Sequence, residues 1–202
     1  MGQYYFVRHG ESEANRDGWL AGHRDSPLTQ RGREQAHSVR PQIETLDLQA
    51  VLVSDASRAQ DTARILLGGR TLPQLTTSLL RERGGGQWEG RPVAELRAAG
   101  HLVRVRRWYE QPPGGESLSD VVLRALEVLC AYDQGQNVLV VAHGALIRGL
   151  LFAVDAGPGG ELSSRGPDNV EVHVRSQPPG GWTSLRARCI EHARTHQSAV
   201  SI

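Results

Sequence analysis

Gln3-Tyr4-Tyr5-Phe6-Val7-Arg8-His9-Gly10-Glu11 is the stretch on which the fold turns. Tyr4 to Val7 are aromatic or β-branched, which predicts a buried strand, and Gly10 ends the run by permitting a turn. An arginine and a histidine therefore stand at the carboxyl end of a first strand. In an open α/β sheet that edge is where ligands bind.

Two further apolar runs end the same way. Ala50-Val51-Leu52-Val53 stops at Ser54-Asp55, and Asn137-Val138-Leu139-Val140-Val141-Ala142 stops at His143-Gly144, with a helix predicted from Ala145 to Ala153. Helical spacing appears from Thr29 to about Leu46, with a kink or split expected at Pro41. A second helix follows Ser57, read as its cap, with Ala59, Ala63, Leu66 and Leu67 inward. A helix interrupted near Gly100 is expected over 92–109, and a long one from Leu118 through Leu129. Gln74 to Thr77 reads as a weak strand, Val170 to Val174 as a half-exposed edge strand, and Trp182 to Arg188 as one more strand. Residues 1–190 are expected to form a single domain and 191–202 a polar, loosely ordered tail.

At 202 residues, with 39% hydrophobic and 22% charged, the composition is that of a soluble globular domain with a sizeable core. Acids and bases nearly cancel, 22 against 23, which gives no bulk-charge signal for nucleic acid or membrane. All 23 bases are arginine. Lysine Schiff-base chemistry and a lysine phosphate loop are thereby excluded. Cys130 and Cys189 are too few for a disulfide framework or a cysteine metal site. No signal sequence or membrane span is visible, so a cytoplasmic location is expected.

Strands separated by helices predict a parallel sheet, whose carboxyl ends share one edge. That edge collects Arg8-His9, Ser54 with Arg58, and His143. Arg58 falls in the first turn of its helix, where its side chain and free amides can face one anion. Two arginines and two histidines without matching acids suit a dianionic phosphoryl group.

Arg8-His9-Gly10-Glu11-Ser12 with Asn15, the run Ser54 to Ala63, Leu80-Arg81-Glu82 before Gly86-Gln87-Trp88-Glu89-Gly90, and Ala142-His143-Gly144 together resemble the histidine phosphatase superfamily, also called the phosphoglycerate mutase-like family. The resemblance runs from residue 4 to about 175. It implies a three-layer α/β/α sandwich with a mostly parallel central sheet. It also implies His9 as nucleophile through a phosphohistidine, Arg8, Arg58 and His143 around the phosphoryl oxygens, Asn15 bonded to the same oxygens, and Glu82 as proton donor. No metal or other cofactor is implied.

Glu89 lies one loop from Glu82 and is the rival acid. Ser54 reads as support rather than nucleophile. His23, in the loop after the nucleophile, is the best further substrate contact; His37, His101, His173, His192 and His196 read as surface histidines. Trp88 reads as packing for the glycine loop, and Glu116-Ser117 as a helix cap near the pocket. The chain lacks the longer insertion and the lysine usual in the mutase branch, which favours hydrolysis. The expectation is therefore a metal-independent phosphomonoesterase acting on a small phosphorylated metabolite, with no nucleic-acid or membrane partner and a homodimer compatible. The alternatives are a cofactor-dependent phosphoglycerate mutase, a non-catalytic phospho-ligand binder, and a metalloenzyme using His9 and His143; arginine-rich surroundings argue against the last.

Overall fold

Every residue of the strands Ala50–Ser54 (β2) and Val138–Ala142 (β4) is buried, so side chains on both faces must be covered. A computed structural model describes residues 2–162 and 166–200 and shows how. The sheet adds Gln3–Arg8 (β1), Gln74–Thr77 (β3) and Val172–Ser176 (β5), in the order β3-β2-β4-β1-β5. All neighbours are parallel except β5, which runs antiparallel to β1.

Alternation along the strands sorts the core into two halves. Val7, Val51, Val53, Leu139 and Val141 pack with Ala36 and Ile43 of α2 (Gln30–Glu44) and with Ala59, Ala63 and Leu66 of α3 (Ser57–Leu67), α1 being the short helix Glu13–Asp17. On the other face Tyr4, Phe6, Leu52 and Val140 meet the three longest helices of the second half of the chain. After α4 (Val93–Ala98) and α5 (His101–Arg104) come α6 (Leu118–Ala131), α7 (Gly144–Ala156) and α8 (Gly181–Val200). The result is the expected three-layer α/β/α sandwich with a mostly parallel sheet. Of the helices between β1 and β2, α2 covers one face, and α7, after β4, covers the other, so the crevice between the adjacent strands β1 and β4 is a topological switch point.

Three expectations are corrected. Trp182 to Arg188 is not a strand, nor are residues 191–200 of the expected tail loose: both belong to α8, while 201–202 lie outside the described residues. Trp182, Leu185 and Cys189 recur at three- and four-residue intervals, all fully buried, and Trp182 meets Tyr4 edge-on at 4.9 Å between ring centroids. Tyr109 stacks on His196 at 3.9 Å, which ties the next turns to the body. Second, α2 continues through Pro41 without a split. Only one turn lies beyond it, and Arg70 donates to the carbonyls of Ile43 and Leu46 at 3.1 Å each, beyond that proline. Third, Ser57 is the first residue of α3 rather than its cap, which is Ala56. Among the described residues no helix is long and apolar enough to cross a membrane.

Candidate active site

The site begins with the β1 turn. His9 N–H donates to the Ala142 carbonyl, continuing the β1–β4 ladder one residue past Arg8, so the two strand ends are locked together. His9 and His143 are 4% and 0% exposed, and their rings meet at 5.1 Å between centroids.

The tautomer of His9 follows from its partners. Its Nδ1 lies 2.6 Å from the Gly10 carbonyl oxygen, which can only accept, so Nδ1 carries the proton. Its Nε2 receives the Arg58 Nε–H at 3.3 Å, and a guanidinium can only donate. Nε2 is therefore a lone pair held beside a cation. Burial, then the charges of Arg58 and Arg8, push His9 well below the ordinary histidine range, against the pull of the Gly10 hydrogen bond. His143 is likewise lowered, first by burial and then by His9 and the arginines.

Arg58 is 2% exposed and donates also to the carbonyls of Arg24 and Gly22, both at 3.2 Å, so the loop after α1 is wrapped on it. Arg8 donates to the Pro167 carbonyl at 2.9 Å, while its buried Nε has no hydrogen-bond partner among the described residues. Burial lowers both guanidinium pKa values from the ordinary one, and Glu82 opposes that shift in each case. His143 Nε2 pairs with the Ser54 hydroxyl at 2.8 Å, and its buried Nδ1 also lacks a partner there. Ser54 is thus the support expected of it.

Glu82 meets this cluster from a segment without regular structure. Its carboxylate accepts from Arg83 N–H at 2.8 Å and from Ala145 N–H, on the first turn of α7, at 3.1 and 3.2 Å. Glu89 instead accepts from the N–H groups of His23 and Gly85, which ties the two loops together, and Glu82 is the carboxylate whose charge acts most on Arg8 and Arg58. His23 contacts the Glu82 carbonyl at 2.8 Å through Nε2. Asn15 is exposed, with its Oδ1 accepting from Ser12 N–H and Oγ–H at 3.2 Å each. The amino end of α3 is less open to an anion than the sequence suggests, since Ser57 N–H and hydroxyl both turn to Asp25. His101, expected at the surface, is half-buried and stacks on Trp88 at 4.9 Å. Ser117 caps α6 in a capping box with Asp120.

Three residues escaped the sequence reading. Thr62 Oγ1 accepts from Gly10 N–H at 3.1 Å and donates to the Arg58 carbonyl at 2.7 Å, bridging the two motifs; a threonine on the apolar stripe of α3 was the available signal. Asn169 Nδ2 donates to the His9 carbonyl at 2.8 Å from an irregular loop that carries none. Its neighbour Val170 has φ 53°, a strained setting for a β-branched residue, and its N–H reaches the Arg8 carbonyl. Arg124 of α6 is the third. Among the described residues, no three His, Cys, Asp or Glu side chains are grouped to hold a metal ion.

The sequence and the fold have known counterparts. Residues 4–190 match the histidine phosphatase superfamily, branch 1, and the chain belongs to that family. It is 35% identical to the adenosylcobalamin/alpha-ribazole phosphatase of Escherichia coli K12, over 71% of this chain and 74% of that protein. To the 2,3-bisphosphoglycerate-dependent phosphoglycerate mutase 2 of Gloeobacter violaceus it is 34% identical, over 85% and 82%. Among solved structures, Bacillus stearothermophilus YhfR superposes with a TM-score of 0.79 at 32% identity, covering 90% of this chain and 94% of that one. A mycobacterial glucosyl-3-phosphoglycerate phosphatase complexed with VO3 gives 0.77 at 26%, covering 87% and 91%.

Proposed function

We propose that the chain is a metal-independent phosphomonoesterase that hydrolyses a small phosphorylated metabolite through a phosphohistidine. The observation that carries this reading is the His9 ring: Nδ1 committed to the Gly10 carbonyl, Nε2 a buried lone pair beside Arg58. In the first step Nε2 attacks phosphorus, the P–O bond to the leaving alcohol breaks, and protonated Glu82 gives that oxygen its proton. In the second, water attacks phosphorus, the P–N bond breaks, and the Glu82 carboxylate takes the water's proton. Arg8, Arg58 and His143 hold the three phosphoryl oxygens, with Asn15 adding a donor through its amide nitrogen. With the Ser54 hydroxyl donating to Nε2 of His143, the unpartnered Nδ1 proton of His143 is the one directed to phosphate. His23 borders the leaving group through its place beside the Glu82 carbonyl. Two free cysteines, one of them buried, fit a reducing cytoplasm.

Relatives of both kinds support a phosphoryl-transfer reading, a phosphatase in one case and a mutase in the other. Arg83 favours keeping the mutase as the second reading. Burial pushes its pKa to about 10, and it shares the field of Glu82 with Arg148, so an acidic substituent on the substrate would offset buried positive charge. Phosphoglycerates carry such a group. The test is phosphate release from an aryl phosphate in excess chelator, comparing the native chain with His9→Ala. Turnover that survives the chelator and disappears in the variant supports the proposal; loss with chelator overturns it. Phosphoglycerate interconversion without net phosphate release would decide for the mutase.

A further inference from the structure

Glu82 has no helix or strand of its own to hold it. It follows a single 3₁₀ turn, Ser78–Leu80, and precedes the run Gly84 to Gly86, the most permissive backbone in the chain. One side chain compensates. Arg124 projects from α6 and is 14% exposed. A guanidinium has five N–H donors, and all five are engaged. Two bind the carbonyls of Leu79 and Arg81 at 2.8 Å, and a third binds that of Glu82 at 2.9 Å. The remaining two form a bidentate pair with Glu116, both at 2.9 Å. Glu116 in turn accepts from Gly84 N–H at 2.7 Å, on the far side of Glu82. His23 adds one more contact to the Glu82 carbonyl.

We propose that Arg124, with Glu116 as its lever, is the positioning residue for the proton donor: it grips the backbone on both sides of Glu82 and sets where that carboxyl meets the leaving oxygen. This rests on the role given to Glu82 above. Three of the five bonds go to the carbonyls of one short segment, the 3₁₀ turn and the irregular residues after it, which tertiary packing alone does not require. A lysine could not reproduce the grip, because its three donors radiate from a point rather than lying in a planar fork.

A positioning role has a signature that a merely structural one lacks. A good leaving group departs without a proton, so an activated aryl ester does not need a well-placed acid, whereas an alkyl ester does. The experiment measures kcat/KM, which reads steps through formation of the phosphoenzyme, for dinitrophenyl phosphate and glycerol phosphate in Glu82→Gln, Arg124→Lys and Glu116→Gln. Thermal melts verify folding. For Arg124→Lys, kcat/KM on the alkyl ester should fall about 10²-fold while that on the aryl ester changes less than about threefold, the same pattern as Glu82→Gln. Glu116→Gln keeps the packing, and so reads the same effect in smaller measure should Arg124→Lys fail to fold. Equal losses on both esters, or no loss on either, overturn the positioning role. If Glu82→Gln itself shows no leaving-group dependence, the fault lies with the role assigned to Glu82, not with Arg124.

Discussion

Gly32→Ala sets two effects of opposite sign against each other. Gly32 is the third residue of α2 and its backbone is helical, so on helix propensity alone alanine should stabilise the fold by about 0.5–1 kcal/mol. The structure opposes this. A Cβ at residue 32 would overlap the carbonyl oxygen of Glu11 and come within 2.8 and 2.9 Å of its backbone nitrogen and carbon. None of those atoms can swing aside. The Glu11 carbonyl is held by Thr29 N–H at 2.9 Å, its N–H by Gln35 at 2.8 Å, and its neighbour Gly10 packs just as closely on the Gly32 carbonyl. Relief requires α2 and the turn that carries His9 to separate, an overpacking cost of about 1–3 kcal/mol or somewhat more for backbone against backbone. The net expectation is a loss of about 2 kcal/mol, near 4–8 °C in Tm for a domain of this size. Because the displaced turn carries His9, kcat should fall by up to about 10²-fold even where the protein remains folded. Urea titration gives the first number and steady-state kinetics the second. A variant as stable and as active as the native chain would refute the close approach of these two backbones.

Ser54→Ala removes the partner of His143 Nε2, leaving a fully buried imidazole with neither nitrogen bonded among the described residues; a loss of about 1–3 kcal/mol in urea titration is expected, with a drop in kcat/KM. Trp182→Ala should cost about 3–5 kcal/mol, read from the denaturation midpoint, with kcat at low temperature near native because Trp182 packs on Tyr4 and Phe6, upstream on β1 of the residues proposed for catalysis. The two buried histidines also set a pH dependence. Their folded-state pKa values are depressed, so below the unfolded value of about 6.5 the unfolded chain takes up protons that the folded chain refuses. Stability should therefore be full above that pH and decline as pH falls toward 5, a window above the carboxylate range in which Glu116 titrates. Denaturation midpoints between about pH 8 and 5 test the sign, and His143→Asn should flatten the decline.

What could be read in advance was whatever local chemistry decides. Apolar runs ending in Arg8-His9 and in His143 announced strands and their common edge, because burial on both faces leaves no polar positions until the strand stops. Glycine and proline likewise announced the loops around Gly84 and Pro112. What could not be read depends on long-range geometry. Asn169 binds a carbonyl 160 positions away, and nothing in its own neighbourhood marks it. The spacing of Trp182, Leu185 and Cys189 was helical, but the polar residues between them imitated strand alternation until Tyr4 and Phe6 supplied the partner surface. Ser57 looked like a cap because serine usually is one, and Asp25, from another loop, claimed its hydroxyl.

The order of the sheet also sets a timetable for synthesis. The strand that ends in Arg8 and His9 is made first, yet its neighbours are β4 and β5, so it has no partner until Val138 and then Val172 have left the ribosome. Meanwhile β2 and β3 can pair with each other but expose the edge that β4 will later fill. A nascent chain thus carries an apolar strand and an open edge until Val138–Ala142 emerges, and closure of the sheet must wait for β4 to slot between the two.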